Sequence, residues 1–343
     1  MPSFKLAPGE FGLMGIPDSG YTMKVGSALS YKGAPYRWLQ RFKYRKEYQK
    51  HAQVQLIPML FLPDGTVMQD STPILDMLEE RYPEPAIHPA DPAVRFLSVL
   101  LEEYGDEWGN KLMFHYRWGY PADQKHRGRS LAAATFGGLT FEWLGKLAAP
   151  LVAPLIIRRM IPRMAFAGAN ENNKPLLVES FRNVADILEA HLSTRSYLFG
   201  ERPAYGDFGL WGQLYQAYDD PSCRAILTER APSVVAWLKR MLDPEALGEF
   251  EGLDTLAPTL APLFAREVGP RFLAWSAANA VAWDAQEKET RLTMDGQLYY
   301  QKTFKYPAGS LALLRQRYAE ASTDASLNAF LAANGCLEYL QKD

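Results

Sequence analysis

The sequence predicts an α/β domain over about its first 85 residues, followed by an all-helical remainder. Three observations carry this expectation. Short apolar runs alternate with helix-patterned stretches at the start of the chain. Pro83, Pro85, Pro89 and Pro92 then mark a linker. Beyond them strand signals vanish for a long way, and apolar residues recur at helical spacing. At a prior of roughly 100–200 residues per domain, 343 residues imply two domains, with room for an addition.

The elements follow in order. Residues 11–16 form an apolar run that ends in the turn formers Pro17, Asp18, Ser19 and Gly20. Val25, Ala28 and Leu29 recur at helical spacing, and Gly33 and then Pro35 stop that helix. Residues 36–39 are aromatic-rich and read as a strand, and the polar segment 43–52 reads as a short helix. Residues 59–62 and 66–68 flank Pro63-Asp64-Gly65, which gives a β-hairpin. Ser71, Thr72 and Pro73 open a helix, with a hydroxyl N-cap ahead of proline. Ile74, Leu75 and Leu78 supply its buried face, so the order is β-α-β-α-β-β-α.

After the linker, Leu97, Leu101, Tyr104, Trp108 and Leu112 line one face of a long helix. Further helices read over 176–192, 207–218 and 232–241, and the stretch 243–262 reads as a joint. Residues 262–283 read as helix, Asp295-Gly296 as a hairpin turn, and 311–321 and 327–340 as two more helices. Phe264, Phe272, Trp275, Trp283, Tyr299, Tyr300 and Phe304 are too many large apolar groups for a solvated tail. Residues 246–343 are therefore expected to pack on the helical domain.

Composition excludes several classes. A net charge of −2 gives no overall attraction to nucleic acid or an anionic membrane. Two cysteines, Cys223 and Cys336, are too few for a disulfide framework and fit a reducing, cytoplasmic compartment. Glu10 and Asp18 break up the only stretch that resembles a signal peptide. The uncharged run 147–157 is shorter than the ~20 residues of a membrane span. Pro150 and Pro154 interrupt it, and it reads as a buried, kinked helix. His51, His88, His126 and His191 show no metal-ligand spacing, so no metal is expected.

Three short motifs carry the chemistry. The run Asp18-Ser19-Gly20-Tyr21-Thr22-Met23-Lys24-Val25 resembles the start of the first helix of glutathione transferases, where Ser or Cys follows the first strand. Gly20 stands in place of the usual proline and implies a freer loop. Leu56-Ile57-Pro58-Met59-Leu60 is similar to the family's Val-Pro-x-Leu, whose proline is cis. Gln69-Asp70-Ser71 is similar to its Glu-Ser, with Asp70 one methylene shorter. In the helical half, the segment from Gly200 to Phe208 resembles a capping segment of the family, and Ala204 leaves only Asp207 of its capping box.

The resemblance, which covers residues 8 to about 242, implies a thioredoxin-like domain over 8–85 and a glutathione-transferase-type helical domain over 92–245. Residues 246–343 lie outside it and make a C-terminal extension. It implies glutathione as co-substrate, an apolar electrophile as acceptor, a homodimer and a detoxifying role. Ser19 falls on the catalytic position, and Ser19, Tyr21, Ile57, Pro58, Asp70 and Ser71 fall on the glutathione site. Ser19 would donate to the bound thiolate, helped by the helix dipole. Its other reading is a plain N-cap. A serine where a cysteine would stand favours conjugation, thiolytic cleavage or dehalogenation over disulfide reduction. The alternative is a binding or scaffold protein that keeps the fold without turnover. Arg41, Lys43, Arg45, Lys46 and Lys50 form a basic cluster, and the resemblance implies that this region can approach the glycine carboxylate of glutathione. As ordinary chemistry it is a solvated helix face. His115 sits at the end of the long helix, where a group can reach an acceptor pocket or pack in the core.

Overall fold

The computed structural model describes residues 4–341. Strand β1 (Phe11–Gly15), helix α1 (Gly20–Tyr31), strand β2 (Tyr36–Gln40) and helix α2 (Arg45–His51) come first. Strands β3 (Met59–Phe61) and β4 (Val67–Gln69) and helix α3 (Ser71–Arg81) complete the expected order. The sheet runs β2-β1-β3-β4, with β1 parallel to β2 and antiparallel to β3. Alternation along each strand divides its side chains between two cores. Leu13 and Leu60 face Val25, Leu29, Ile74 and Leu75, whereas Met14, Met59 and Phe61 face Tyr48 and Phe4.

The register fixes what lies at each end of the sheet. Met14 pairs with Met59, and Met59 pairs with Gln69. The exit of β1, the entry of β3 and the exit of β4 therefore share one end. The turn before α1, the Ile57-Pro58 bond and the start of α3 gather there.

A long helix follows as α4 (Pro92–Tyr104), a π-helical turn over Gly105–Gly109, and α5 (Asn110–Gly119). The π turn was not legible in the apolar periodicity, which runs through it. Helices α6 (Pro121–Leu139) and α7 (Glu142–Met160) then form a hairpin. The outer face of α7 is exposed, contrary to the expectation of a buried helix: Leu147, Leu151 and Leu155 all face solvent. Its inner face is Gly145, Ala149 and Ala153, packed against Ala132. Helices α8 (Lys174–Leu192), α9 (Tyr205–Asp219), α10 (Pro221–Arg230) and α11 (Pro232–Arg240) build the rest of the bundle. Asp207 accepts from the Ala204 N–H at 2.9 Å, the Leu198 N–H at 2.8 Å and Trp237 Nε1 at 2.9 Å. It caps α9 without a hydroxyl partner.

The last hundred residues are helical earlier than the sequence suggested. Helix α12 (Leu253–Leu263) occupies the second half of the expected joint, because Pro258 and Pro262 are carried inside it. It continues through a π-helical stretch, Phe264–Leu273, into α13 (Ala274–Asp284). Strands β5 (Glu289–Met294) and β6 (Gln297–Lys302) pair around Asp295-Gly296, both at positive φ as a tight hairpin turn requires. Helices α14 (Lys305–Ala321), α15 (Ala325–Ala333) and α16 (Leu337–Leu340) close the chain. The single helix expected over 327–340 is broken at Gly335, whose φ is +65°.

Phe264, Phe272, Trp275 and Tyr299 are buried in one core shared with α4, α8 and α9, while Trp283 is exposed. Both cysteines are free and buried.

Candidate functional site

Ser19 caps α1. Its Oγ accepts from the Thr22 N–H at 3.3 Å. A hydroxyl that accepts through a lone pair keeps its proton, so capping leaves Ser19 free to donate outward. The two sequence readings of this serine are compatible.

The loop that carries Ser19 is gripped from the helical half. Gln216 Nε2 donates to Pro17 O at 2.7 Å, and Arg117 donates to Asp18 O at 3.1 Å. The Asp18 carboxylate takes Arg127 at 2.6 Å and Ser130 at 2.8 Å. Tyr21 donates its hydroxyl to Asp106 O at 2.8 Å. Gly20 lies against α9, and a Cβ there would stand 2.6 Å from Gly212 O. Instead of loosening the loop, glycine lets two backbones meet, and the β-carbon of a proline would collide. Asp18, Arg117 and Arg127 were missed by the sequence reading, since their partners lie about a hundred residues apart in the chain.

Pro58 is buried, and the Ile57-Pro58 bond is cis. The segment before it is clamped by Gln69. Gln69 Oε1 accepts from Gln53 N at 2.8 Å, and Nε2 donates to Leu56 O at 3.0 Å. Tyr48 adds a bond to Leu56 O at 2.9 Å.

The N-cap of α3 is Asp70, not Ser71. Asp70 Oδ1 accepts from Thr72 N at 3.4 Å, and Ser71 is the first helical residue, with its side chain buried. Asp70 has φ 80° and ψ 127°, a conformation that L-residues adopt only at a cost of about 1–3 kcal/mol. Its second oxygen takes the Tyr306 hydroxyl at 3.2 Å, from the start of α14. A cleft of about 660 Å³ opens beside it, lined by Asp70, Thr72 and Glu103 on one side and Trp283, Tyr306 and Arg317 on the other. The C-terminal segment thus supplies one wall of the cleft.

Lys24, a turn beyond Ser19, is fully buried between the two halves. Its Nζ bonds Ser71 and Thr72 hydroxyls at 3.3 Å each and Asp106 at 2.7 Å, and it pairs with Glu102. Burial opposes its charge, but the Asp106 and Glu102 carboxylates outweigh burial and raise its pKa. Burial pushes the Asp106 carboxyl up to about 8, even beside Lys24.

Lys111 on α5 is a second buried cation. It donates to Gln301 Oε1 at 2.8 Å and sits 3.5 Å from the Trp275 ring centroid. Burial lowers its pKa to about 7, against the pull of Glu107. The sequence signal was a lysine beside Leu112, a position the helical pattern places at the core.

The remaining candidates are the basic cluster and His115. Lys43, Arg45, Lys46 and Lys50 are exposed, and Arg41 stacks 4.1 Å from the Tyr48 ring centroid. His115 is buried beside Tyr116 and Tyr120, and burial lowers its pKa to about 4. Among the described residues no group of three metal-ligating side chains stands together.

Known proteins match both halves. Residues 13–86 match the family described as glutathione S-transferase, N-terminal domain, and residues 163–240 match glutathione S-transferase, C-terminal domain. A maleylpyruvate isomerase from a Ralstonia species is 36% identical over 91 residues, covering 24% of this chain and 43% of that protein. The match thus spans less than half of that relative. Similar solved structures include a tau-class glutathione S-transferase from mango (Mangifera indica), with 17% identity, TM-score 0.45, and coverage of 74% of this chain and 97% of that one. A beta-etherase from Sphingobium sp. strain SYK-6 has 20% identity and TM-score 0.42, covering 67% and 94%. A Methylobacterium radiotolerans glutathione S-transferase, in complex with glutathione sulfonate, has 20% identity and TM-score 0.41, covering 71% and 99%. The fold is a thioredoxin-like α/β domain followed by a helical domain, and models of one family's two domains match it in that order. The chain belongs to the glutathione S-transferase superfamily.

Proposed function

We propose that the chain binds glutathione at the shared end of the sheet and activates its thiol for attack on an apolar electrophile. The observation that carries this reading is Asp70, a strained, partly exposed carboxylate at the first turn of α3. Strain of this kind persists where the surroundings over-determine it, and it clusters at binding sites. Asp70 would take the γ-glutamyl ammonium, and Ser71 with the α3 N-terminus the α-carboxylate. Ile57 would pair its backbone with the cysteinyl part, ahead of Pro58, and Tyr21 would flank the same pocket.

A free thiol has a pKa near ~8.5, so little of it is ionised at neutral pH. The Ser19 hydroxyl and the positive end of α1 favour the thiolate. Sulfur then bonds to the electrophilic carbon as halide or alkoxide departs, and the thiol proton has already gone to solvent. Ser19 is the donor in this scheme and not the nucleophile. Conjugation, ether cleavage and dehalogenation share this step, and the isomerase relative adds isomerisation to the reactions worth screening. A cytoplasmic dimer with a detoxifying role fits the proposal.

The second reading, a non-catalytic binding protein, draws on the Tyr306 hydroxyl already seated on Asp70. Calorimetric titration with glutathione, followed by an acceptor screen, separates the two. Binding with turnover is expected; absence of binding sinks the site, and binding with no turnover on any acceptor class favours the second reading.

Two variants test the roles. Ser19→Ala is expected to raise the pKa of bound glutathione by about one to two pH units, read from thiolate absorbance, since a hydrogen bond to a charged group is worth about 1.5–3 kcal/mol. An unchanged titration would exclude the donor role. Asp70→Asn keeps a capping side chain but removes the charge. Glutathione affinity should fall roughly 10- to 100-fold while the melting temperature holds. Equal affinity in this variant would move the ammonium site elsewhere.

A further inference from the structure

We propose that the outer face of the α6–α7 hairpin docks on an anionic phospholipid surface, with α7 lying in the plane of the interface. The evidence starts with an inverted helix. A helix of a soluble bundle turns bulky apolar residues inward and polar ones outward. On α7 the inner face is centred on Gly145, Ala149 and Ala153, with Val152 and Ile156 partly buried beside them, and a Cβ on Gly145 would stand 2.4 Å from Ala133 O. The bulky residues Trp143, Leu147, Leu151 and Leu155 stand four apart on the opposite face, where Leu151 is 82% exposed. Pro150 and Pro154 share that face; Lys146, four residues before Pro150 and paired with Glu142, sits at its edge, and the next charge along it is Arg158. Phe136, Leu139 and Phe141 extend it around the hairpin tip and are exposed as well. A contiguous apolar face of this kind marks an interaction surface.

Charge selects the occupant. Residues 121–166 hold seven Lys and Arg against Asp123 and Glu142, a net of +5 in a chain whose total is −2. Arg127 is spent on Asp18, Asp219 and Asp220, and Lys146 pairs with Glu142 at 2.9 Å on the surface. Lys125 and Arg129 on α6, and Arg158, Arg159 and Arg163 at the far end, are exposed. Lys125, His126, Arg129 and Lys146 also line a groove between the two helices, bordered by Pro150. An apolar face with aromatic residues at one end and bases along its rim is the pattern of an interfacial helix, with phosphate head groups meeting the bases. A second copy fits less well, because a two-fold interface sets the same basic patch against itself. Among the described residues no helix is long and apolar enough to cross a membrane, so the hairpin lies on the surface and does not span it. The near-neutral net charge of the whole chain conceals this patch.

The test is co-sedimentation of the full chain with vesicles of equal parts phosphatidylglycerol and phosphatidylcholine, against phosphatidylcholine alone, at low and physiological salt. Binding to the anionic vesicles, weaker at higher salt, is expected. Leu147→Glu with Leu151→Glu should lower the bound fraction roughly tenfold or more. Both side chains face solvent, so the thermal melt should not change. Should that double variant melt early, Arg158→Glu with Arg159→Glu carries the same reading, with a fall of roughly tenfold. No binding to anionic vesicles at low salt overturns the proposal, as does binding that neither pair of substitutions moves. A solution dimer that Leu151→Glu splits, in a chain that ignores both vesicles, assigns the face to a second copy instead.

Discussion

A chain ended after Glu245 is expected to lose its cooperative fold. The C-terminal segment completes the centre of the helical half. Phe272 packs edge-on to Tyr104 at 6.0 Å, and Trp275 and Tyr299 lie 6.3 and 5.8 Å from Trp108. Leu256, Leu260, Leu263 and Phe264 are fully buried in the same cluster. Each such side chain is worth about 1.5–3 kcal/mol, and a domain holds only about 5–15 kcal/mol in total. Polar contacts go as well: Glu267 accepts from Ser180 and from Asn183 at 2.9 Å, and Arg271 pairs with Glu179 at 3.2 Å. The truncated chain should aggregate, bind a hydrophobic dye, and lack a near-ultraviolet dichroism signal. A soluble product that melts at the full-length temperature would show the segment to be an appendage.

Lys24→Met is expected to destabilise the protein by about 3–5 kcal/mol at pH 10, because removing one partner of a buried ion pair leaves the other uncompensated. Glu102 and Asp106 would face each other without their cation. The pH dependence gives this prediction its signature. The folded-state pKa of Asp106 already lies near 8, above its unfolded value, so folding favours the protonated form. The associated penalty is absent below the unfolded pKa, grows as pH rises, and is complete above the folded one. Losing Lys24 raises the folded pKa further and widens that window upward. Denaturation at pH 5 and at pH 10 should therefore show the variant much closer to the parent at pH 5, with the gap opening above pH 8. An equal loss at both values would mean that Lys24 acts by packing.

Local chemistry was legible and distant pairing was not. The turns at Pro63-Asp64-Gly65 and Asp295-Gly296 appear where their residue types demand them, because a turn is decided by neighbours. Three motifs marked the end of the sheet where Ser19, Pro58 and Asp70 gather. Tyr306 on Asp70 spans 236 residues of sequence and has no local signature. The run 147–157 misled because its apolar content was read as burial. The small residues four apart, Gly145, Ala149 and Ala153, were the usable signal that α7 packs by its thin side. Ser71 was taken for the cap since hydroxyls favour that place, yet Asp70 favours it equally and precedes it.

The grip on residues 17–21 bears on how such a protein can be inherited. Pro17, Asp18, Gly20 and Tyr21 each meet a partner on α5, α6, α9 or the π turn. The segment around Ser19 is thus half built by a part of the chain that folds elsewhere. The first half is not a portable module: grafted onto the helices of a relative, it would bring its own strands and motifs but leave behind Arg117, Arg127 and the bare backbone of Gly212. Shuffling between relatives at the linker would break the loop first, because its partners would stay behind with the helices that carry them.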